Sequence, residues 1–266
     1  MERDGLALKN SHSIFRQNMS LAKTVLTFGS KIAGVKAYVE DALMTTQNHE
    51  FVDEPAFAQA YARGMQATGC DYHMRWRLHV ALWAAFSAAK LPGDFVELGV
   101  NKGFVSSAIM NYLDWNSLNK KFYLLDTFQG LDERYVSDKE KAAGYLERNK
   151  NSLANGYYIS GVDQVRKNFS EWQNAIVVQG AVPDSLQAVE SKAIAYLHLD
   201  LNCSPPEVAA LELLWDRLVP GAFVLHDDYA QVAHKISKEG MDQFAAKKKV
   251  QFVCLPTGQG LLIKPH

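Results

Sequence analysis

Two short apolar runs, each ending in acid, bracket residues 194–229 and limit what the chain can become. The first, IAYLHLD, closes on Asp200; the second, AFVLHDDY, closes on Asp227 and Asp228. Between them Val208, Leu211, Leu214, Trp215 and Leu218 recur at helical spacing, and Pro220-Gly221 follows. This is a strand–helix–strand unit, and a right-handed crossover makes its two strands parallel. Three carboxylates from neighbouring strand ends then meet at the carboxyl edge of a sheet, which is where open α/β sheets bind ligands.

The rest of the chain extends the same pattern. Residues 95–100 read as a buried strand, followed by Gly-rich punctuation and a helix over 105–113; residues 122–125 form a second strand ending at Asp126. After a helix over 162–172, residues 175–179 give a third strand ending at Gly180, and a helix over 236–246 follows the acidic unit. Residues 250–255 and 260–264, joined by Pro-Thr-Gly-Gln, predict an antiparallel hairpin. The expected fold is therefore α/β: a doubly wound, mostly parallel seven-stranded sheet of the class I methyltransferase, Rossmann-like kind, closed by a C-terminal antiparallel hairpin. Residues 130–160 are polar and too long for an ordinary βα connection, which predicts a helical insertion or cap.

Upstream lie helical patterns over 54–68 and 72–90, and a longer one over 15–44 broken near Gly29 and Gly34. We expect residues 1–70 to form an N-terminal helical extension, a lid or a subunit contact for a homo-oligomer, and residues 71–266 to form the methyltransferase-like domain. With 48% apolar residues among 266, the chain can bury a sizeable core. A net charge of −1 gives no electrostatic footprint for nucleic acid. No run reaches the length of a membrane span, the first ten residues are charged, and three cysteines stand without disulfide or metal spacing. A soluble cytoplasmic protein is the expectation.

The first strand runs into Glu97-Leu-Gly99-Val-Asn101-Lys-Gly103, an acid before a glycine loop that opens a helix. Such a loop aims free backbone N–H groups at a ligand. Its spacing departs from G-x-G-x-x-G, and it suits the amino-acid part of S-adenosylmethionine better than a dinucleotide's phosphates. Glu97 can orient loop amides around the ligand ammonium. Asp126, followed by Thr127 and Phe128, stands where a carboxylate accepts ribose hydroxyls, and is otherwise a helix cap or turn residue. Gln179 and Gly180 stand where an adenine ring would lie.

Taken singly, Asp200, Asp227 and Asp228 read as helix caps or ion-pair partners. Taken together they repel one another unless something positive sits among them, and an all-oxygen set suits Mg²⁺. His198 and His226 stand close by in sequence; His226 is a packed residue or an assisting base. Mg²⁺ beside a methyl donor would orient an acceptor's hydroxyls and lower the pKa of one.

The segments GDFVELGVNKG (93–103), LLDTFQGL (124–131), VVQGAVPDSL (177–186), LHLDLNCSPPEVAALELLWDRLVPGAFVLHDDY (197–229) and HKISKEGMDQF (234–244) together resemble the macrocin-type O-methyltransferase family. The resemblance implies S-adenosylmethionine- and Mg²⁺-dependent methylation of sugar hydroxyls on macrolide and aminocoumarin products. It also implies Asp200, Asp227 and Asp228 as metal ligands, with Asp200 as a candidate base. The chain departs from the family pattern after Asp200, where Asn202 replaces an acid and a tyrosine is missing, and in the glycine loop. The acceptor is accordingly expected to be a sugar or polyol hydroxyl of a small molecule or glycan. The rival readings are a catechol-type methyltransferase, a catalytically silent methyltransferase-like binding module and, disfavoured by the loop spacing, a nicotinamide dehydrogenase.

Overall fold

A computed structural model describes residues 37–266, which divide into two compact units at residues 52 and 53. In the first unit, strands β1 (Tyr38–Glu40) and β2 (Leu43–Thr45) pair antiparallel. The turn between them holds Asp41 and Ala42 at φ 48° and 60°, the double left-handed geometry that matches the twist of a two-residue hairpin. This corrects the helical expectation for 15–44 at its C-terminal end: Val39 and Leu43 are four apart, as on a helix face, but they sit on opposite strands. Residues 15–36, with the lid or subunit contact expected of them, lie outside the described residues.

The second unit is built on a sheet of seven strands: β3 (Asp94–Leu98), β4 (Phe122–Asp126), β5 (Ala175–Gln179), β6 (Ile194–Leu199), β7 (Leu218–His226), β8 (Val253–Cys254) and β9 (Gly260–Ile263). Their spatial order is β5-β4-β3-β6-β7-β9-β8. Strands β3 to β7 pair in parallel, and β9 runs antiparallel to both its neighbours. The doubly wound sheet and its C-terminal hairpin are as the sequence predicts. Strand order reverses between β3 and β6, so the crevice at their carboxyl ends is the ligand position such sheets provide.

Helices cover both faces: α1 (Pro55–Thr68), α2 (Arg75–Ala88), α3 (Phe104–Tyr112), α4 (Asp138–Ala142), α5 (Tyr145–Ala154), α6 (Asp163–Phe169), α7 (Ser204–Leu214) and α8 (Lys235–Lys248). Helix α1, assigned from sequence to the N-terminal extension, packs on α3 and belongs to this unit; the Tyr61 and Phe104 rings meet edge-on at 5.3 Å. On the other face α7 packs on α8 above a core that includes Val96, Leu125, Leu197, Leu211, Val224 and Met241.

The polar segment 130–160 is a helical insertion. Ser137 and Glu140 form a capping box that starts α4, satisfying amides the first turn would leave open. Glu140 is fully buried because its other oxygen accepts the Ser204 amide at 2.6 Å, at the start of α7. Tyr145 adds a 3.1 Å bond from its hydroxyl to the Ala233 carbonyl. These contacts fasten the insertion to the two segments that follow Asp200 and Asp228. No helix among the described residues is long and apolar enough to cross a membrane.

Candidate active site

The glycine loop lies against the acidic strand. Gly99 holds φ 92°, and a Cβ there would run into the Asp200 carbonyl, so the backbones of the two strand ends touch. Gly103, at φ 88°, is the residue before α3, and a Cβ on it would strike the Phe169 ring. Between them Asn101 takes φ 48° and turns its amide to the Asp126 carboxylate, 2.7 Å away.

Asp126 is the knot of this half of the site. Its second oxygen accepts the Phe128 amide at 2.6 Å, and its carbonyl accepts the Gly180 amide at 2.9 Å, so the loops after β3, β4 and β5 are tied through one residue. Thr127 donates to the carboxylate at 3.3 Å, and Gln179 reaches the Thr127 carbonyl at 3.5 Å. The sequence-predicted cofactor residues Gly99, Asn101, Gly103, Asp126, Thr127, Gln179 and Gly180 therefore converge. Phe128 is only 1% exposed, and it joins through its backbone, its ring belonging to the core.

Glu97 takes a place the sequence did not foresee. His198 Nδ1 lies 2.8 Å from Glu97 Oε1, and His198 Nε2 lies 3.6 Å from Asp227 Oδ1, so the imidazole bridges two acids inside the sheet edge. Burial alone would lower the His198 pKa, but Asp227 and Glu97 outweigh it and raise the value to about 10. Glu97 Oε2 is buried and has no hydrogen-bond partner among the described residues.

The three aspartates follow the paired strands β6 and β7, and each is held differently. Asp227 is the most engaged: Arg77 Nη1 stands 2.6 Å from Oδ2, and Gln259 Nε2 donates to Oδ1 at 3.1 Å. Burial would raise its pKa; Arg77 first, then His198, hold it well below the usual carboxylate range. Asp228 accepts from Gln231 Nε2 at 2.7 Å and faces His234 Nδ1 at 3.5 Å. Asp200 accepts from Asn202 Nδ2 at 2.9 Å. Burial, then the charges of Asp227 and Asp228, push its carboxyl well above the ordinary value. Among the described residues no group of three or more His, Cys, Asp and Glu side chains converges closely enough to hold a metal ion. The acids are all hard oxygen ligands of the kind Mg²⁺ takes, and the positive charge that the structure itself places beside two of them is the Arg77 guanidinium, 2.6 Å from Asp227 and 3.7 Å from Asp228.

His226 has no exposed surface and points the other way, as strand alternation requires. Its Nε2 meets Glu207 Oε2 at 3.1 Å and Ser237 Oγ at 3.2 Å, while Nδ1 accepts the Asp228 amide at 3.2 Å. That amide fixes the tautomer with the proton on Nε2. Both nitrogens are occupied inside the protein, so this ring positions the Asp227-Asp228 turn and has no free nitrogen for a substrate proton.

Arg77, Gln259, Tyr72, Tyr157 and Tyr158 were not singled out by sequence. Arg77 had a signal: it shares its helix face with Ala81, Ala84, Ala85 and Ala88, all buried, so a lone cation stood on an apolar stripe and needed an acid. The tyrosines come from the loop before α2 and from the end of the insertion. Asn101 holds the latter, donating to the Tyr157 carbonyl at 3.0 Å and accepting the Ile159 amide at 2.9 Å.

The profile of the macrocin O-methyltransferase family (TylF) matches residues 18–253. The chain belongs to this family. A curated relative from Streptomyces olivaceus, 8-demethyl-8-(2,3-dimethoxy-alpha-L-rhamnosyl)-tetracenomycin-C 4'-O-methyltransferase, is 28% identical over 148 residues, 53% of this chain. The chain spans about half the length of that relative, 54%. Among solved structures, the O-methyltransferase NovP superposes with a TM-score of 0.62 at 20% identity, over 77% of this chain and 88% of that one. The calicheamicin methyltransferase CalS11 gives 0.52 at 16% identity, over 79% and 93%. Both likenesses establish the class I methyltransferase fold for this member of the macrocin O-methyltransferase family.

Proposed function

We propose that the chain is an S-adenosylmethionine-dependent, Mg²⁺-assisted O-methyltransferase whose acceptor is a sugar or polyol hydroxyl of a small glycosylated molecule. The observation that carries this reading is the adjacency of Asp200 to the glycine loop: Gly99 approaches the Asp200 carbonyl so closely that no side chain fits between them. A donor cradled by the loop and an acceptor held by the acids would then share one crevice. Family membership and the name of the rhamnose-modifying relative support the sugar.

The residues fit the donor. The unpartnered Glu97 Oε2 suits its ammonium, and Asp126 keeps a lone pair for a ribose hydroxyl beyond the two amides and the Thr127 hydroxyl it accepts. When bound, S-adenosylmethionine supplies an electrophilic methyl group on a sulfonium, so the protein's task is mainly positioning. Asp200, Asp227 and Asp228 would hold Mg²⁺, which lowers the pKa of the acceptor hydroxyl. With the donor bound, Asp200 would take the proton of the acceptor hydroxyl, whose oxygen receives the methyl group while S-adenosylhomocysteine leaves. Arg77 and Gln259 keep Asp227 fixed, and His226 fixes the turn that carries Asp228. The three unbridged cysteines accord with a reducing, cytoplasmic setting.

The deciding experiment is release of S-adenosylhomocysteine on a panel of glycosides and catechols, with and without EDTA. Methyl transfer to a sugar that needs Mg²⁺ supports the proposal. Transfer to catechols with every sugar refused would replace the acceptor class, and absence of cofactor binding by calorimetry would remove the enzyme reading altogether.

A further inference from the structure

We propose that Tyr72 and Tyr157 form the wall on which the acceptor's sugar ring stacks, opposite Asp200. The inference rests on the proposed sugar methylation and adds the residues that would recognise the sugar.

The two rings are the outer end of an aromatic ladder. Tyr61 meets Phe104 edge-on at 5.3 Å, Phe104 stacks on Tyr72 at 5.3 Å and 27°, and Tyr72 leans on Tyr157 at 5.6 Å and 42°. The inner rungs are packed, Phe104 being 4% exposed and Tyr61 4%, whereas Tyr157 is 51% exposed. An aromatic ring braced from behind and bare in front offers a rigid apolar face at small entropic cost. Pyranose rings present such a face through their axial C–H bonds, and their hydroxyls point outward to polar groups around the rim.

The polar groups are in place. Gly99, in the same loop as Asn101, touches the Asp200 backbone, so the loop that anchors Tyr157 also borders the acid assigned to the acceptor hydroxyl. Burial first, and then the charge of Asp200, pushes the Tyr157 and Tyr158 phenols up. The Tyr72 hydroxyl is buried with only the Cys70 side chain, a weak hydrogen-bonding group, beside it, and makes no hydrogen bond of good geometry among the described residues. A sugar oxygen seated there would satisfy it better. The wall is also registered to the donor side, because Asn101 of the glycine loop bonds both the Tyr157 carbonyl and the Ile159 amide. Among the other exposed large apolar side chains, Trp83 and Phe86 lie on α2 and Val253 and Ile263 on the terminal hairpin, none of them joined to this ladder.

The test uses the full chain loaded with S-adenosylhomocysteine and a panel of simple methyl glycosides beginning with methyl α-L-rhamnopyranoside, read by saturation-transfer NMR and titration, without turnover. Tyr157→Ala should weaken glycoside binding by about tenfold, Tyr157→Phe should keep most of it, and Tyr72→Phe should weaken it while leaving the ring's saturation transfer intact. Affinity for S-adenosylhomocysteine, measured by calorimetry, should stay within about twofold in all three. The inference is overturned if Tyr157→Ala leaves glycoside binding unchanged, if no glycoside in the panel binds the wild type, or if the loss falls on S-adenosylhomocysteine, which would make the tyrosines a cofactor cover. Because these readouts need no methyl transfer, they separate failure of the wall from failure of the proposed reaction, which the glycoside assay reads directly.

Discussion

Arg77 Nη1 lies 2.6 Å from Asp227 Oδ2, an ion pair that joins α2 to the end of the last parallel strand, β7, across 150 residues of sequence. Its partners are 8% and 11% exposed, and removing one side of such a buried pair leaves the other charge without compensation. Arg77→Met should therefore lower stability at pH 7 by about 3–5 kcal/mol, measured by urea unfolding in EDTA. The folded-state pKa of Asp227 is depressed, with Arg77 the largest lowering influence. Its contribution is thus present above the unfolded value of ~3.9 and is lost as pH falls through the folded one. The gap between wild type and variant should be full at neutral pH and narrow below about pH 4; a gap that stays constant down to pH 3 would show that packing, not charge, makes the difference.

Asp200→Asn keeps the shape of the side chain and removes its basicity. We expect the methyl-transfer rate to fall by at least ~10²-fold, with S-adenosylhomocysteine affinity nearly unchanged. A comparable loss of cofactor affinity would place Asp200 in the donor pocket instead.

Gly99 and Gly69 make a matched pair of substitutions. Both have positive φ, at 92° and 74°, but a Cβ on Gly69 meets nothing within 4 Å whereas one on Gly99 meets the Asp200 backbone. Gly69→Ala should cost about 1 kcal/mol, the backbone preference alone. Gly99→Ala should cost roughly 3 kcal/mol or more and should also abolish cofactor binding. Equal costs in denaturant titrations would contradict the close approach.

The cysteines give a chemical check on the packing. Cys70 and Cys254 are exposed and Cys203 is buried. Burial, and then Glu207, push the Cys203 thiol up, further reducing its reactive thiolate. An Ellman titration of the native chain at pH 8 should count two thiols quickly and the third only on unfolding. Early reaction of all three would mean that the Cys203 loop opens readily.

The sheet was legible because its central strands are buried on both sides and therefore read as unbroken apolar runs, FVEL, YLLD and AYLHLD among them. The acids at their ends were legible for the same reason, since a carboxylate at the end of such a run has few places to go but the sheet edge. Arg77 was harder: the helix pattern shows that it sits on a buried face, but nothing local names a partner 150 residues away. The hairpin at 38–45 was misread because Asp41 and Ala42 are not a usual left-handed turn pair, and because two strands of three residues leave almost no alternating pattern. Glu97 was placed correctly at the end of β3, but its pairing with His198 depends on the register between β3 and β6, which sets Glu97 directly opposite His198.

The insertion leaves the sheet just after Phe128 and returns at Gly161, whose amide bonds the Phe128 carbonyl at 2.8 Å. The whole stretch between them is thus a closed excursion with touching feet, and a change in its length that spared Glu140, Tyr145 and the Asn101 contacts would leave the strands on either side in place. A segment built this way can be exchanged between relatives as one cassette, carrying Tyr157 and Tyr158 with it.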